Sequence, residues 1–114
     1  MKHTIKIQPE YYNYILHGTK RIEIRLNDEK RKQIKIGDTI TFLKEPDLIE
    51  SFNAKVIELM HYNNFEDMLN DIDISLLADK SVSQEELINS LEQFYSKEKQ
   101  KEYSVVGIKI EITS

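Results

Sequence analysis

The chain has 114 residues, a net charge of −4 and no cysteine. Its length suits one domain spanning residues 1–114 around one modest core, and the missing cysteines exclude a disulfide framework, a zinc–thiolate site and a thiol nucleophile. The start, Met1-Lys2-His3-Thr4-Ile5, lacks the apolar stretch of a signal peptide, and no apolar run approaches the roughly 18 residues of a membrane span, so a cytoplasmic, membrane-free protein is expected.

His3 to Ile7 alternates polar and apolar residues, the pattern of a half-buried strand. Pro9 suits the first position of a helix and Glu10 its first turn. Tyr11, Ile15 and Leu16, flanked by Tyr12 or Tyr14, give that short helix an apolar face, and Gly18 can supply the left-handed residue that ends it. From Lys20 to Leu26 the period switches to two. Ile22, Ile24 and Leu26 point one way, and Arg21, Glu23 and Arg25 the other.

Asn27 to Lys32 reads as a charged loop. Gly37-Asp38 reads as a turn into a strand with Ile40 and Phe42 inward. Pro46-Asp47 breaks that pattern. Phe52 to Met60 alternates again, but both of its faces are mixed, which predicts a strand covered on both sides. Asn64 is placed to cap a helix from Phe65. Ser83 and Glu86 form a capping box for a second helix through Tyr95, with Leu87, Leu91, Phe94 and Tyr95 on its apolar face. Ser104 to Ile112 reads as a closing strand, in which Gly107 marks a bulge or a close backbone approach. The order is strand, helix, several strands, helix pair, strand. It predicts an α+β fold, a small mixed or antiparallel β-barrel of about five to six strands with peripheral helices.

Charge is unevenly spread. Residues 1–44 carry ten Lys/Arg against five Asp/Glu, whereas residues 45–96 carry two against twelve. The basic first half can attract phosphate, although the chain is acidic as a whole. A protein that grips long duplexes is usually basic across its domain. The balance therefore favours a nucleotide-sized anion or a short RNA element over a DNA duplex.

The most specific stretch is Gly18-x-Lys20-x-x-Glu23-x-Arg25. Glu23 and Arg25 share a strand face about 7 Å apart, with Lys20 expected at the rim of a polar cleft. Glu23 suits a base edge or its exocyclic amine, and Arg25 a forked phosphate contact or a stacked base. A structural pair, with Arg25 holding Glu23 and closing the barrel face, fits the same spacing. Tyr103, just before the last strand, and Lys44, at a strand end, are further candidates for the cleft. Lys30-Arg31-Lys32 suits a phosphate contact or a solvated loop. His3, His17 and His61 lack metal-ligand spacing, and no cofactor is called for.

This motif, the helix before it, Ile36-Gly37-Asp38 after it and the closing Val106-Gly107-Ile108 together resemble the ASCH domain family. The resemblance covers nearly the whole chain. It implies a PUA-like β-barrel with a cleft beside the motif and a role connected with RNA. One bacterial branch hydrolyses the acetyl amide of N4-acetylcytidine, using the motif Lys, a Thr and a later Glu. This chain keeps Lys20, but has Glu23 in place of the Thr and Lys80 in place of the Glu. Another branch is associated with RNA cleavage, and its catalytic residues do not map cleanly here. The leading expectation is an RNA- or nucleoside-binding domain whose cleft contains Lys20, Glu23 and Arg25. The alternative is a hydrolase acting on RNA or a modified nucleoside, with Lys20 and Glu23 as proton-transfer groups. A third is a protein-interaction module using the acidic helices.

Overall fold

The computed structural model describes residues 1–79 and 81–113, so Lys80 lies outside the described residues. In chain order the elements are β1 (Lys2–Ile7), α1 (Pro9–Leu16), β2 (Ile22–Leu26), β3 (Thr39–Lys44), β4 (Ser51–Tyr62), α2 (Phe65–Asp71), α3 (Ile74–Leu77), α4 (Gln84–Phe94), α5 (Lys97–Tyr103) and β5 (Val105–Ile112). A short 3-10 turn covers Arg31–Gln33. The five strands form one mixed sheet in the order β1-β3-β4-β5-β2. β1 and β3 are parallel, and the other pairs are antiparallel. The fold is α+β, and the sheet curls into a half-barrel with β1 and β2 at its two edges.

Local chemistry explains most of the elements. Pro9 opens α1. Gly18 ends the turn beyond it at φ +80°, a region costly for a residue with a Cβ. Asn64, Asp73, Ser83 and Ser96 each accept a backbone N–H at the start of α2, α3, α4 and α5. Two of these helices escape a reading of periodicity. α3 has only four residues. α5, KEKQKEY, has no apolar stripe, and buried Gln100 holds it instead. The Gln100 side chain accepts from Phe65 N and donates to the Tyr95 carbonyl.

Alternation sorts the side chains into two apolar clusters. Ile5, Ile7, Ile40, Phe42, Ala54, Val56, Val106, Ile108 and Ile110 fill the concave side of the sheet with Tyr12 and Ile15 of α1. Ile22, Ile24, Leu26 and Val105 meet Phe65, Met68, Leu77 and Leu87 of the helices on the other side. The mixed faces of β4 have a simple origin, a register shift between Val56 and Glu58. Before it, Ala54 and Val56 are buried while Lys55 and Ile57 face out. After it, Leu59 packs on the first cluster, and Met60 and Tyr62 pack on the second.

Gly107 is a close approach and not the bulge. A Cβ built there would lie 3.2 Å from Cγ2 of Ile22, which is itself buried. At the other end of the sheet, Asp38 collects the N-terminal ammonium at 3.2 Å, His3 Nε2 at 2.7 Å and the Lys35 backbone N–H at 3.0 Å. These contacts pin β1 to the start of β3. Among the described residues, no helix is long and apolar enough to cross a membrane.

Two outcomes follow. Gly107→Val should overpack the β2–β5–helix layer and lower stability by about 1–3 kcal/mol in urea unfolding. The Asp38 carboxyl is pulled down to about 2, first by the bond from His3 and then by the Lys35 N–H. Its folded value is depressed, so its contribution is complete above its ordinary value of 3.8 and fades as pH falls towards about 2. Asp38→Asn should remove that part of the acid dependence, read as urea midpoints across this pH window in the two proteins.

Candidate functional site: a buried charge cluster under an aromatic cleft

The motif lies where the sheet is open. β2 pairs with β5 along one edge, so Glu23 sits opposite Ile108 and Arg25 opposite Val106. Opposed residues in such a pair share a face, which turns both charges to the concave side, away from Ile22 and Ile24. The other edge of β2 faces the edge of β1 without a ladder between them. Arg25 crosses this seam, and its Nη2 donates to the Lys6 carbonyl of β1 at 2.8 Å.

Lys20 is 3% exposed and Glu23 5%, so Lys20 sits beneath the surface and not at a rim. Lys20 Nζ donates to the Ile22 carbonyl at 2.6 Å and the Leu77 carbonyl at 2.7 Å. It also lies 3.4 Å from Glu23 Oε1. The second carboxylate oxygen of Glu23 accepts from Arg25 Nε at 2.8 Å. Lys20 also stands 5.6 Å from the centre of the Tyr11 ring, a cation–π contact.

The electrostatics follow from this geometry. Burial alone would raise the Glu23 carboxyl, but Arg25 and then Lys20 outweigh it and hold the group below its usual range. Burial lowers the Lys20 ammonium, and Glu23 opposes part of that shift. Lys20 Nζ meets three oxygens, which suits the three N–H groups of an ammonium. A neutral amine has only two N–H groups and would set its lone pair against one of these oxygens. Burial also works against Arg25, but Glu23 carries it above its ordinary value. The cluster therefore has two cations around one anion.

Above it lies a cavity of about 150 Å³. Lys20, Glu23 and Arg25 form its floor. Tyr11 of α1, Leu87, Leu91 and Phe94 of α4, and Tyr95 form its walls, with Lys6, Ile7, Gln8 and Glu45 along the opposite side. Phe94 is 59% exposed, an unusual state for a large ring beside a cavity. All three motif charges reach this cavity. Tyr103 does not, since it packs among the helices of the second cluster. Nor does Lys44, which pairs with Glu50 at 3.0 Å and lies 5.5 Å from the Tyr12 ring centre.

Phe94 was not singled out in the sequence. It completes the apolar stripe of α4 beside Tyr95, and a stripe alone does not show which of its residues stay exposed. Among the described residues, no group of three or more His, Asp or Glu is placed to hold a metal.

Removing the anion of such a cluster strands its cations in a dry site. Glu23→Gln should therefore cost about 3–5 kcal/mol of stability, read as a lower urea midpoint.

The chain matches the ASCH domain over residues 5–114. No curated protein matches it significantly. Two solved structures share the fold over the whole length. The crystal structure of the hypothetical protein PH0355 is 40% identical, with a TM-score of 0.87, over 99% of this chain and 100% of that one. The solution structure of protein PF0455 from Pyrococcus furiosus is 36% identical, with a TM-score of 0.79, over 100% of this chain and 99% of that one. The five-stranded half-barrel with its helices is consistent with the PUA-like fold expected from the motif. With that match over nearly the whole chain, the chain belongs to the ASCH domain family.

Proposed function

We propose that this protein is a binding domain for RNA or a nucleoside-sized ligand, and that its cleft receives one base. The observation that carries the reading is a largely exposed aromatic ring, Phe94, lining one ring-sized cavity together with a charged floor. A cavity of about 150 Å³ is the size that admits a single six-membered ring. Bases stack on such side chains with little regard to sequence. The floor offers complementary polar groups. Glu23 is an acceptor whose two known partners leave lone pairs free. Arg25 uses Nε on Glu23 and Nη2 on the Lys6 carbonyl, and also bonds to the Tyr95 side chain of the cleft wall.

The acidic helical half bears on the size of the partner. Residues 45–96 carry twelve acids, and that surface repels a nucleic acid lying across the whole domain. It confines contact to the β1–β2 seam. A single-stranded RNA segment or a free nucleoside fits this restriction, and the cysteine-free chain suits a cytoplasmic setting.

Hydrolysis finds less support. Lys20 is occupied by three oxygens, the residues lining the cleft include no Ser, Thr or Cys, and the nearby Ser90 side chain is engaged with Tyr11. The neighbouring hydroxyl, Thr19 Oγ1, donates to the Tyr14 carbonyl.

Binding is tested by titrating ribonucleosides and short single-stranded RNA into the protein and into Phe94→Ala. Loss of one stacking wall should weaken binding by about tenfold, within the range of one base–aromatic stack. The exposed position should leave the urea midpoint nearly unchanged. Product formation from N4-acetylcytidine or model RNA that disappears in Glu23→Gln or Lys20→Met would replace the binding reading with the hydrolase one.

A further inference from the structure

The floor of the cleft is chemically occupied. Lys20 holds three oxygens, and Arg25 spends its bonds on Glu23 and the Lys6 carbonyl. The opposite wall differs. It is built at the junction of β1 with α1, where Gln8 precedes Pro9. A residue before proline is held extended, and Gln8 sits at φ −64° and ψ 149°. Its carbonyl accepts the Tyr12 N–H at 2.9 Å, and the carbonyl just before it, on Ile7, accepts the Glu45 N–H at 2.9 Å. The backbone is thus pinned from both sides, and Glu45 is fixed next to Gln8.

The side chains of these two residues take no part in that framework. Gln8 occupies the N-cap position of α1, where Ser, Asn or Asp would accept a backbone N–H, yet its amide makes no cap bond. Among the described residues, neither the Gln8 amide nor the Glu45 carboxylate has a hydrogen-bond or ion-pair partner. Both residues are half-buried and line the cavity. Among the described residues, no buried side-chain N or O lacks a partner. These free polar groups therefore stand in accessible space and not in the packed interior.

Their chemistry selects a partner. A carboxylate only accepts hydrogen bonds, whereas an amide both donates and accepts. Glu23 on the floor and Glu45 on the wall favour a ring that offers N–H groups and disfavour one that presents carbonyl oxygen. Gln8 matches an edge with a donor beside an acceptor, the forked pairing that glutamine makes with the amino group and neighbouring ring nitrogen of adenine.

We propose that Gln8 is a specificity-determining residue of the cleft and that, with Glu45, it selects a base carrying an exocyclic amino group beside a ring-nitrogen acceptor over the keto counterpart of that base. The inference rests on the reading that the cleft takes a base.

The test is calorimetric titration with two pairs of nucleosides that differ in amino against keto substitution, cytidine with uridine and adenosine with inosine. The amino member should bind tenfold or more tightly in at least one pair, the size expected of one forked contact. Gln8→Leu should bring the two members within twofold of each other and leave the urea midpoint unchanged, because no structural bond is lost. Phe94→Ala should weaken both members alike and keep the preference. Equal binding within both pairs, or tighter binding of the keto members, overturns the assignment but leaves the base cleft standing. So does a Gln8→Leu protein that keeps the full preference, or one that weakens both members equally. If no nucleoside binds at all, the base cleft and the assignment fall together.

Discussion

Burial of three charges at an unpaired edge of the sheet is the constraint around which this fold is arranged. Taking ions out of water costs several kcal/mol each, and their mutual attraction offsets that only when every remaining polar group finds a partner. Here the partners come from separate parts of the chain. Lys20 needs the carbonyls of Ile22 and Leu77, so α3 must dock against the start of β2. The Arg21 backbone N–H bonds to the Leu76 carbonyl at 2.8 Å and fixes the same contact. Arg25 needs Glu23 and the Lys6 carbonyl, so β1 must approach β2. A hydrophobic replacement of the set would be at least as easy to bury.

The cluster has a direct consequence for chemistry. A Glu23 held ionised by Arg25 and Lys20 in a dry site resists taking up a proton. Fixed dipoles and charges of this kind suit recognition, because they are already oriented before a ligand arrives. They suit proton transfer poorly, since a working acid or base must change state near neutral pH. The aromatic wall complements this floor. Phe94 keeps most of its surface in water at the end of α4, and a stacking partner would cover it.

The uneven charge of the chain acquires a location in the fold. The acids of α2 to α4 lie on the helical layer, while Lys6 and Arg25 meet at the β1–β2 seam. A field of mixed sign steers an anion to one side of a small protein and disfavours a long polyanion that would touch both.

Much of the architecture was legible in the residues because it rests on local causes. Pro9 and Gly18 bound α1, since one lacks an amide hydrogen and the other tolerates φ +80°. Asn64 and Ser83 start their helices by accepting an orphan N–H. Alternation separated Ile22 and Ile24 from Glu23 and Arg25, because strand side chains have a period of two. α3 and α5 were not legible: one is too short for any period, and the other is anchored by a single glutamine with distant partners. Likewise, nothing next to Tyr103 or Lys44 in the chain shows that other surfaces claim them. The sequence by itself determined that a Lys, a Glu and an Arg would follow a glycine turn, two of them on one strand face. Only the tertiary structure decided that Lys20 is buried, that Arg25 spans two strands and that Phe94 lines the same cavity. The reason is that burial and pairing depend on elements up to 57 residues apart, as between Lys20 and Leu77, and no local pattern records such contacts.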